Sequence, residues 1–343
     1  MIRPRPEMAA TPPATHGGPA GDEAVRIDFS VSLNAFGPAP AVLQAVGAAP
    51  LDVYPDPLSL APRRAAAERW GRPVEEIVFG AGAAELIQAV CFAMVRAGDT
   101  VLVPMPTFGE YARAASLCGA RVLQGIAPPP DYALDAAAIA EAVVQHRPRL
   151  AFLCTPNNPT GQRLTRDELR GVADACAAVG TLLVVDQSFD AFMAEPLGTP
   201  ALPGHPAVIH LRSITKDHAL AGVRAAFAVG PAHLVAAVER GRVPWSASTL
   251  AQAAAAAALG DAGQEYAALT LPRLRVPTVR TSTHFLLADV GDAAALAARL
   301  RAGHGIRVRD CASFGLPGHI RVAARTPLDN AELIRALEAE CSA

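Results

Sequence analysis

Lys216 stands in the stretch "RSITKDHALAGVR", with Ser213 and Thr215 just before it and Arg224 eight residues after it. Asp186 closes the apolar run "TLLVVD", and Asn157 lies in "CTPNNPTG", directly after "RLAFL". The stretch "GAGAAELI", with Gly82, Ala83 and Ala84, follows "EIVF". By residue type these offer an amine for nucleophilic or acid–base work, a carboxylate, a carboxamide and a helix start open to an anion. Each has an ordinary reading alone. A loop lysine is commonly solvated, a strand-end carboxylate is frequent, and Asn, Pro and Gly are turn residues. A lysine, an aspartate, an asparagine and a glycine-rich helix start at successive strand ends form a more specific set.

The surrounding pattern supplies those strand ends. Short apolar runs alternate with helical patterns: "EIVFG", "TVLVP", "RVLQG", "RLAFLC", "TLLVVD", "AVIHLRS" and "RAAFAVG" read as strands. Between them, "AAELIQAVCFAMVRAG", "EYARAASLCG", "LDAAAIAEAVVQH" and "TRDELRGVADACAAVG" read as helices. This alternation predicts right-handed βαβ crossovers and a mostly parallel sheet sandwiched by helices, an α/β domain over residues 46–244. Residues 245–343 mix helices with the strands "THFLLADV", "IRVRD" and "HIRVAA", and predict a smaller α+β domain. Residues 1–45 are expected to be an arm plus a contribution to that small domain, with loose coil up to about Asp22. In an open parallel sheet, ligands bind beyond the carboxyl ends of the strands, where the polar stretches above lie.

Composition narrows the class. The chain has 343 residues, 51% of them apolar and 18% charged, with a formal net charge of −2. This balance, without a Lys/Arg cluster, gives no electrostatic footprint for nucleic acid or an anionic membrane. Six scattered cysteines without a C-x-x-C pair read as reduced thiols rather than a disulfide framework or a metal site. "MIRPRPEMAATPPATHGG" lacks the apolar core of a secretory signal, and "TLAQAAAAAALG" is too short to span a bilayer. The expectation is a cytoplasmic protein acting on a small molecule.

The combination of "TPNNPTG", strand-terminal "VVD" and "SITK" followed by Arg224 resembles the pyridoxal-phosphate enzymes of fold type I, in the class I/II aminotransferase superfamily. Matching motifs run from "DFSVSLN" to "IRVAART", nearly the whole chain. The resemblance implies pyridoxal 5′-phosphate (PLP) as cofactor, with Lys216 forming the Schiff base and then serving as acid and base at the substrate α-carbon. It implies that Asp186 keeps the pyridine nitrogen protonated, and that Asn157 donates to the ring 3-oxygen as a donor preorganised by its prolines. It gives the phosphate to Gly82, Ala83, Ala84, Ser213, Thr215 and Arg224, and the pyridine face to Phe108. Tyr54 in "VYPDP" would serve the phosphate of a neighbouring subunit, which implies a homodimer with shared active sites. Arg321 in "HIRVAAR" would fork a substrate carboxylate.

Two subgroups resemble the chain most: threonine-phosphate decarboxylases and histidinol-phosphate aminotransferases. "THGG", "RSITK", "VPWSAS", "VRDCASF" and Phe189 in "VDQSF" lean to the decarboxylases. That resemblance implies His16 and Arg309 on a substrate phosphate, with Ser32 standing where the decarboxylases carry a phosphate-binding asparagine. Gln187, Asp217 and His218 also depart from the usual residues. The leading expectation is therefore a PLP-dependent enzyme acting at the α-carbon of a phosphorylated amino acid or amine, similar to the threonine-phosphate decarboxylases of cobalamin biosynthesis. The alternatives are an aminotransferase using 2-oxoglutarate and glutamate, and a non-catalytic PLP-binding homologue.

Overall fold

The computed structural model describes residues 2–18, 25–125, 127–276, 278 and 280–341. Strand β1 (Ile27–Asp28) precedes the large sheet. That sheet is built from β2 (Ile77–Gly80), β3 (Thr100–Leu102), β4 (Arg121–Leu123), β5 (Leu150–Cys154), β6 (Leu182–Asp186), β7 (Val208–Ser213) and β8 (Ala226–Val229). Its order is β2-β8-β7-β6-β5-β3-β4. Only β8 runs against its neighbours; the other pairings are parallel. The predicted mostly parallel α/β architecture is the one observed.

Period-two alternation explains why these strands are apolar throughout. Phe152, Val184 and Ile209 bury against one layer, which includes Leu86, Val90 and Tyr111. Their neighbours Leu153, Leu183 and Val185 bury against Leu169, Val172 and Cys176 on the other face. A strand covered on both faces favours apolar residues at every position. Each such Leu, Val or Phe contributes about 1.5–3 kcal/mol by leaving water. In β6 the first polar residue, Asp186, therefore appears where the strand stops, whereas β7 buries His210 and Arg212 within its length.

Register aligns those stops. Cys154 pairs with Asp186, and Asp186 with Leu211, so the loops after β5, β6 and β7 emerge side by side. The helices that follow are anchored at their starts. Thr165 and Glu168 form a reciprocal capping box ahead of the helix Arg166–Val179, and Asp135 caps Ala136–His146. The helix Ala83–Met94 is different: Gly82 precedes it, and no side chain caps it.

A second body is formed by β9 (Phe285–Asp289), β10 (Ile306–Arg307), β11 (Arg309–Asp310) and β12 (His319–Ala323). Strand β12 pairs antiparallel with both β11 and β9. The run "IRVRD", expected as one strand, is split: β10 turns away and pairs parallel with β1. The N-terminal segment thus joins this body, with Ile27 and Phe29 packed among Leu296, Leu300 and Ile306. The expected loose coil before Asp22 needs correction, because Pro6–Ala10 forms a short helix and Arg5 donates to the Leu117 carbonyl at 3.1 Å. The helices Pro40–Gly47, Leu60–Trp70, Ala232–Arg240 and Asp261–Thr270 were not foreseen.

Candidate active site

A cavity of about 370 Å³ opens at the carboxyl ends of β5, β6 and β7. Lys216, Asp186, Ala83, Ala84, Phe108, Ser213, Thr215, Arg224, His16, Ser32, Arg309 and Arg321 all line it, so twelve of the fifteen expected residues converge on one space. Lys216 sits in the loop after β7. Burial, reinforced by the positive charges of Arg321 and Arg224, pushes its amine down from the usual 10.5 to about 8. A fraction of that amine is neutral near neutral pH, which is the nucleophilic form.

One end of the cavity is shaped for a phosphate. Gly82 has a φ of +97°, and a Cβ there would lie 2.5 Å from Arg224 Nη2. Only glycine allows the guanidinium to rest against this backbone. The uncapped N–H groups of the helix start, the hydroxyls of Ser213 and Thr215 (2.7 Å apart) and the Arg224 cation surround the same corner. Gly82 itself lies behind Arg224 rather than on the cavity wall.

The far end holds Asp186, 4% exposed. Its Oδ1 accepts from the Ser188 backbone N–H at 2.9 Å and from Ser188 Oγ at 2.5 Å. Its Oδ2 accepts from the Tyr111 hydroxyl at 2.7 Å. Gln187, the next residue, points the other way and bonds the backbone of Gly198 and Ala201, as alternation along a strand requires. Phe108 stands on the cavity wall between the two ends, with the His16 ring 5.7 Å from it.

The asparagine expectation is corrected. Asn157 does not reach the cavity. Its amide nitrogen donates to the Pro106 carbonyl at 2.8 Å and to Thr160 Oγ1 at 3.0 Å, and its oxygen accepts from Thr107 at 2.7 Å. Both amide hydrogens and the oxygen of that side chain are thus engaged, by Thr160 in its own loop and by Pro106 and Thr107 in the loop after β3. Asn158 lines the cavity instead; its oxygen accepts from Arg321, and its amide nitrogen has no partner among the described residues. Asn158 is the available donor.

Arg309 and Arg321 face each other across the β11–β12 pair. Arg309 donates to the Thr15 carbonyl at 3.0 Å and to Ser313 Oγ at 2.6 Å; Arg321 donates to Asn158 and to the Ser30 carbonyl. Neither has a carboxylate partner among the described residues, although both are buried. Burial pushes Arg321 down to about 10 and moves Arg309 in the same direction. In the same cavity, Ser32 Oγ is buried without a partner among the described residues. His16 is committed to Glu110, 3.1 Å away, which holds the Glu110 carboxyl below its usual range. Tyr54 does not line this cavity; it is 80% exposed and packs on Trp245 at 5.2 Å.

Sequence reasoning missed Tyr111, Ser188, Asn158, Cys154 and Ser313 as members of the site. The signal for Asn158 was its position beside Asn157. Tyr111 read only as part of a helical pattern.

The family model described as "Aminotransferase class I and II" matches residues 25–339. The chain belongs to the class I and II aminotransferases. Within this family it is 33% identical to a histidinol-phosphate aminotransferase of Symbiobacterium thermophilum, over 91% of this chain and 90% of the relative. It is likewise 33% identical to the enzyme of that name from Halorubrum lacusprofundi, over 88% and 85% of the two chains. Among solved structures, a histidinol-phosphate aminotransferase from Sinorhizobium meliloti in complex with pyridoxal-5′-phosphate superposes with a TM-score of 0.86. The identity is 24%, and the match covers 98% of this chain and 97% of that one. An L-threonine-O-3-phosphate decarboxylase from Porphyromonas gingivalis shares the fold at a TM-score of 0.77 and 22% identity, over 92% of this aminotransferase-family chain and all of that one. The residues present fit PLP: a glycine-backed phosphate corner, an amine of lowered pKa, and a buried aspartate at the opposite end of the cavity. Among the described residues there is no His, Cys, Asp and Glu cluster suited to a metal, and no helix is long and apolar enough to cross a membrane.

Proposed function

We propose that the protein is a PLP-dependent aminotransferase acting on a phosphorylated amine of the histidinol-phosphate type, with glutamate and 2-oxoglutarate as the second amino donor and acceptor pair. The single observation that carries this is the pair of buried arginines, Arg309 and Arg321, aimed into the cavity without a carboxylate among the described residues. Histidinol phosphate brings one phosphate dianion, whereas glutamate brings two carboxylates. Two guanidinium groups suit both, taking the phosphate in one half-reaction and the carboxylates in the other. The names of the similar curated proteins support the same reading, in preference to the decarboxylase expectation.

When bound, PLP supplies the carbonyl that receives an amine and the ring that withdraws electrons from the α-carbon. Arg224, Ser213, Thr215 and the helix start at Ala83 would hold its phosphate. Asp186 would hold a proton at the pyridine nitrogen, and Asn158 would donate to the ring 3-oxygen. Phe108 would cover one face and exclude water from it. Lys216 Nζ would take the proton from the substrate α-carbon, which requires the neutral amine that burial favours.

A second reading, decarboxylation of a phosphorylated amino acid, draws on the arm residues Thr15, His16 and Gly17, which line the cavity beside Arg309. Incubation with histidinol phosphate plus 2-oxoglutarate, and separately with O-phosphothreonine, decides between them. Glutamate from the first supports transamination; CO₂ from the second, without glutamate from the first, replaces it. We further propose a homodimer in which Tyr54 reaches the partner's phosphate corner. The exposed Leu51, Val53, Tyr54 and Val243 are consistent with a covered face. Light scattering that returns a fully active monomer sinks this assignment.

A further inference from the structure

The Asp186 carboxylate is buried, yet no Lys, Arg or His lies within salt-bridge distance of it among the described residues. Neutral donors hold it instead, one set on each oxygen. Ser188 supplies its N–H and hydroxyl to Oδ1, and Tyr111 supplies its hydroxyl to Oδ2. Tyr111 is 1% exposed and is itself fixed on two sides. Its ring stacks on Phe152, with centroids 4.9 Å apart and planes 14° apart, and meets Phe108 edge-on at 5.6 Å. Phe108 and Tyr111 also belong to one helical turn, because the Tyr111 N–H bonds the Phe108 carbonyl at 3.3 Å. The side chain on the cavity wall and the side chain holding the aspartate are therefore packed on one another and tied through one turn of backbone.

We propose that Tyr111 is a positioning residue which, opposed by Ser188, locks the rotation of the Asp186 carboxylate and presents it as a fixed acceptor to the pyridine nitrogen of the cofactor. This rests on the PLP reading given above. A carboxylate free to rotate about Cβ–Cγ would spread its lone pairs over several directions, and reorganising it would add to the barrier. Burial and the neighbouring Asp186 charge hold the Tyr111 phenol well above its usual value, so it stays a donor over the whole working pH range.

The test is Tyr111→Phe, which keeps the ring packing and removes only the hydroxyl, compared with Ser188→Ala and wild type. Three quantities are measured: PLP affinity of the apoprotein by fluorescence titration, its affinity for a PLP analogue with carbon in place of the pyridine nitrogen, and kcat with KM. Tyr111→Phe is expected to lower kcat about tenfold or more, with KM changed by less than about twofold. PLP affinity should fall about threefold or more, while affinity for the analogue, which makes no contact through a ring nitrogen, stays as in wild type. Ser188→Ala should show the same difference between the two ligands. Equal changes for both ligands overturn the proposal even if kcat falls, because that pattern assigns Tyr111 to packing alone. A wild-type protein that takes up no PLP overturns the cofactor reading itself, and is recognised before any variant is compared.

Discussion

The amide oxygen of Asn158 accepts a hydrogen bond from the Arg321 guanidinium, linking the loop after β5 to strand β12 across 163 residues of sequence. Asn158 thereby lines the cavity and holds Arg321, the arginine proposed for the substrate, at once. Asn157, its neighbour, is closed on Pro106, Thr107 and Thr160. The two alanine variants should separate cleanly. Asn158→Ala is expected to cut kcat by about ten- to hundred-fold with little change in melting temperature. Asn157→Ala is expected to cost about 1–3 kcal/mol of stability, because its buried partners lose their bonds. Chemical denaturation and steady-state kinetics on both variants check this, and the reversed pattern would return the donor role to Asn157.

A methyl group at position 82 should act on the phosphate alone. Gly82→Ala places a side chain at a φ of +97° and pushes the Arg224 guanidinium off its seat. The apoprotein should lose about tenfold or more in affinity for PLP, while its affinity for pyridoxal, which lacks the phosphate, changes little. Equal losses for both ligands would place the phosphate elsewhere.

The Lys216 amine titrates at about 8 in the folded chain against 10.5 ordinarily. Lowering a base's pKa means that the neutral form appears at lower pH. The rate at which apoprotein captures PLP should therefore climb roughly tenfold per pH unit below 8 and level off above it. A rate still climbing at pH 10 would leave the amine unperturbed. Lys216→Ala should leave no cofactor attached to the chain after borohydride reduction. In the folded state the suppressed protonation also makes stability rise with pH between about 8 and 10.5, the window in which the unfolded chain binds more protons.

Truncating Arg309 should read out the substrate's anion. Arg309→Ala is expected to raise KM for the phosphorylated substrate by about ten- to hundred-fold, with a small effect on an unphosphorylated analogue. Comparable losses on both would make Arg309 a structural residue and favour a generic amino-acid substrate.

How much of this was legible follows from where the information lies. Asp186 could be read because β6 is apolar up to its last residue, and Lys216 and Arg224 because they flank the loop between the strand-like runs that became β7 and β8, although β7 buries His210 and Arg212 within its length. Asn157 and Asn158 could not be told apart, because they are chemically identical neighbours. What distinguishes them is Pro106 and Thr107, fifty residues upstream, which claim one of the two amides. Tyr111 was hidden for a similar reason. In "EYARAAS" it fits the buried face of a helix, and it is indeed buried; only the parallel stacking of β5 and β6 brings Asp186 to its hydroxyl. The split of "IRVRD" escaped notice because periodicity gives a strand's existence but not its partner.

The cross-strand register of Arg309 and Arg321 has a thermodynamic consequence. Like charges directly opposite on a strand pair repel, and among the described residues neither guanidinium has a carboxylate within ion-pair distance, although Asp28 and Asp310 lie near enough to favour the charged forms. Any anion that bridges the two cations relieves that repulsion inside the small sheet. Melting temperature then becomes a gauge of occupancy. In a buffer whose anion reaches a hundred times its dissociation constant, the fold gains about 2.7 kcal/mol. The choice of phosphate or chloride as buffer salt should thus shift the unfolding midpoint of the wild-type chain and leave that of an Arg309→Ala, Arg321→Ala chain where it is.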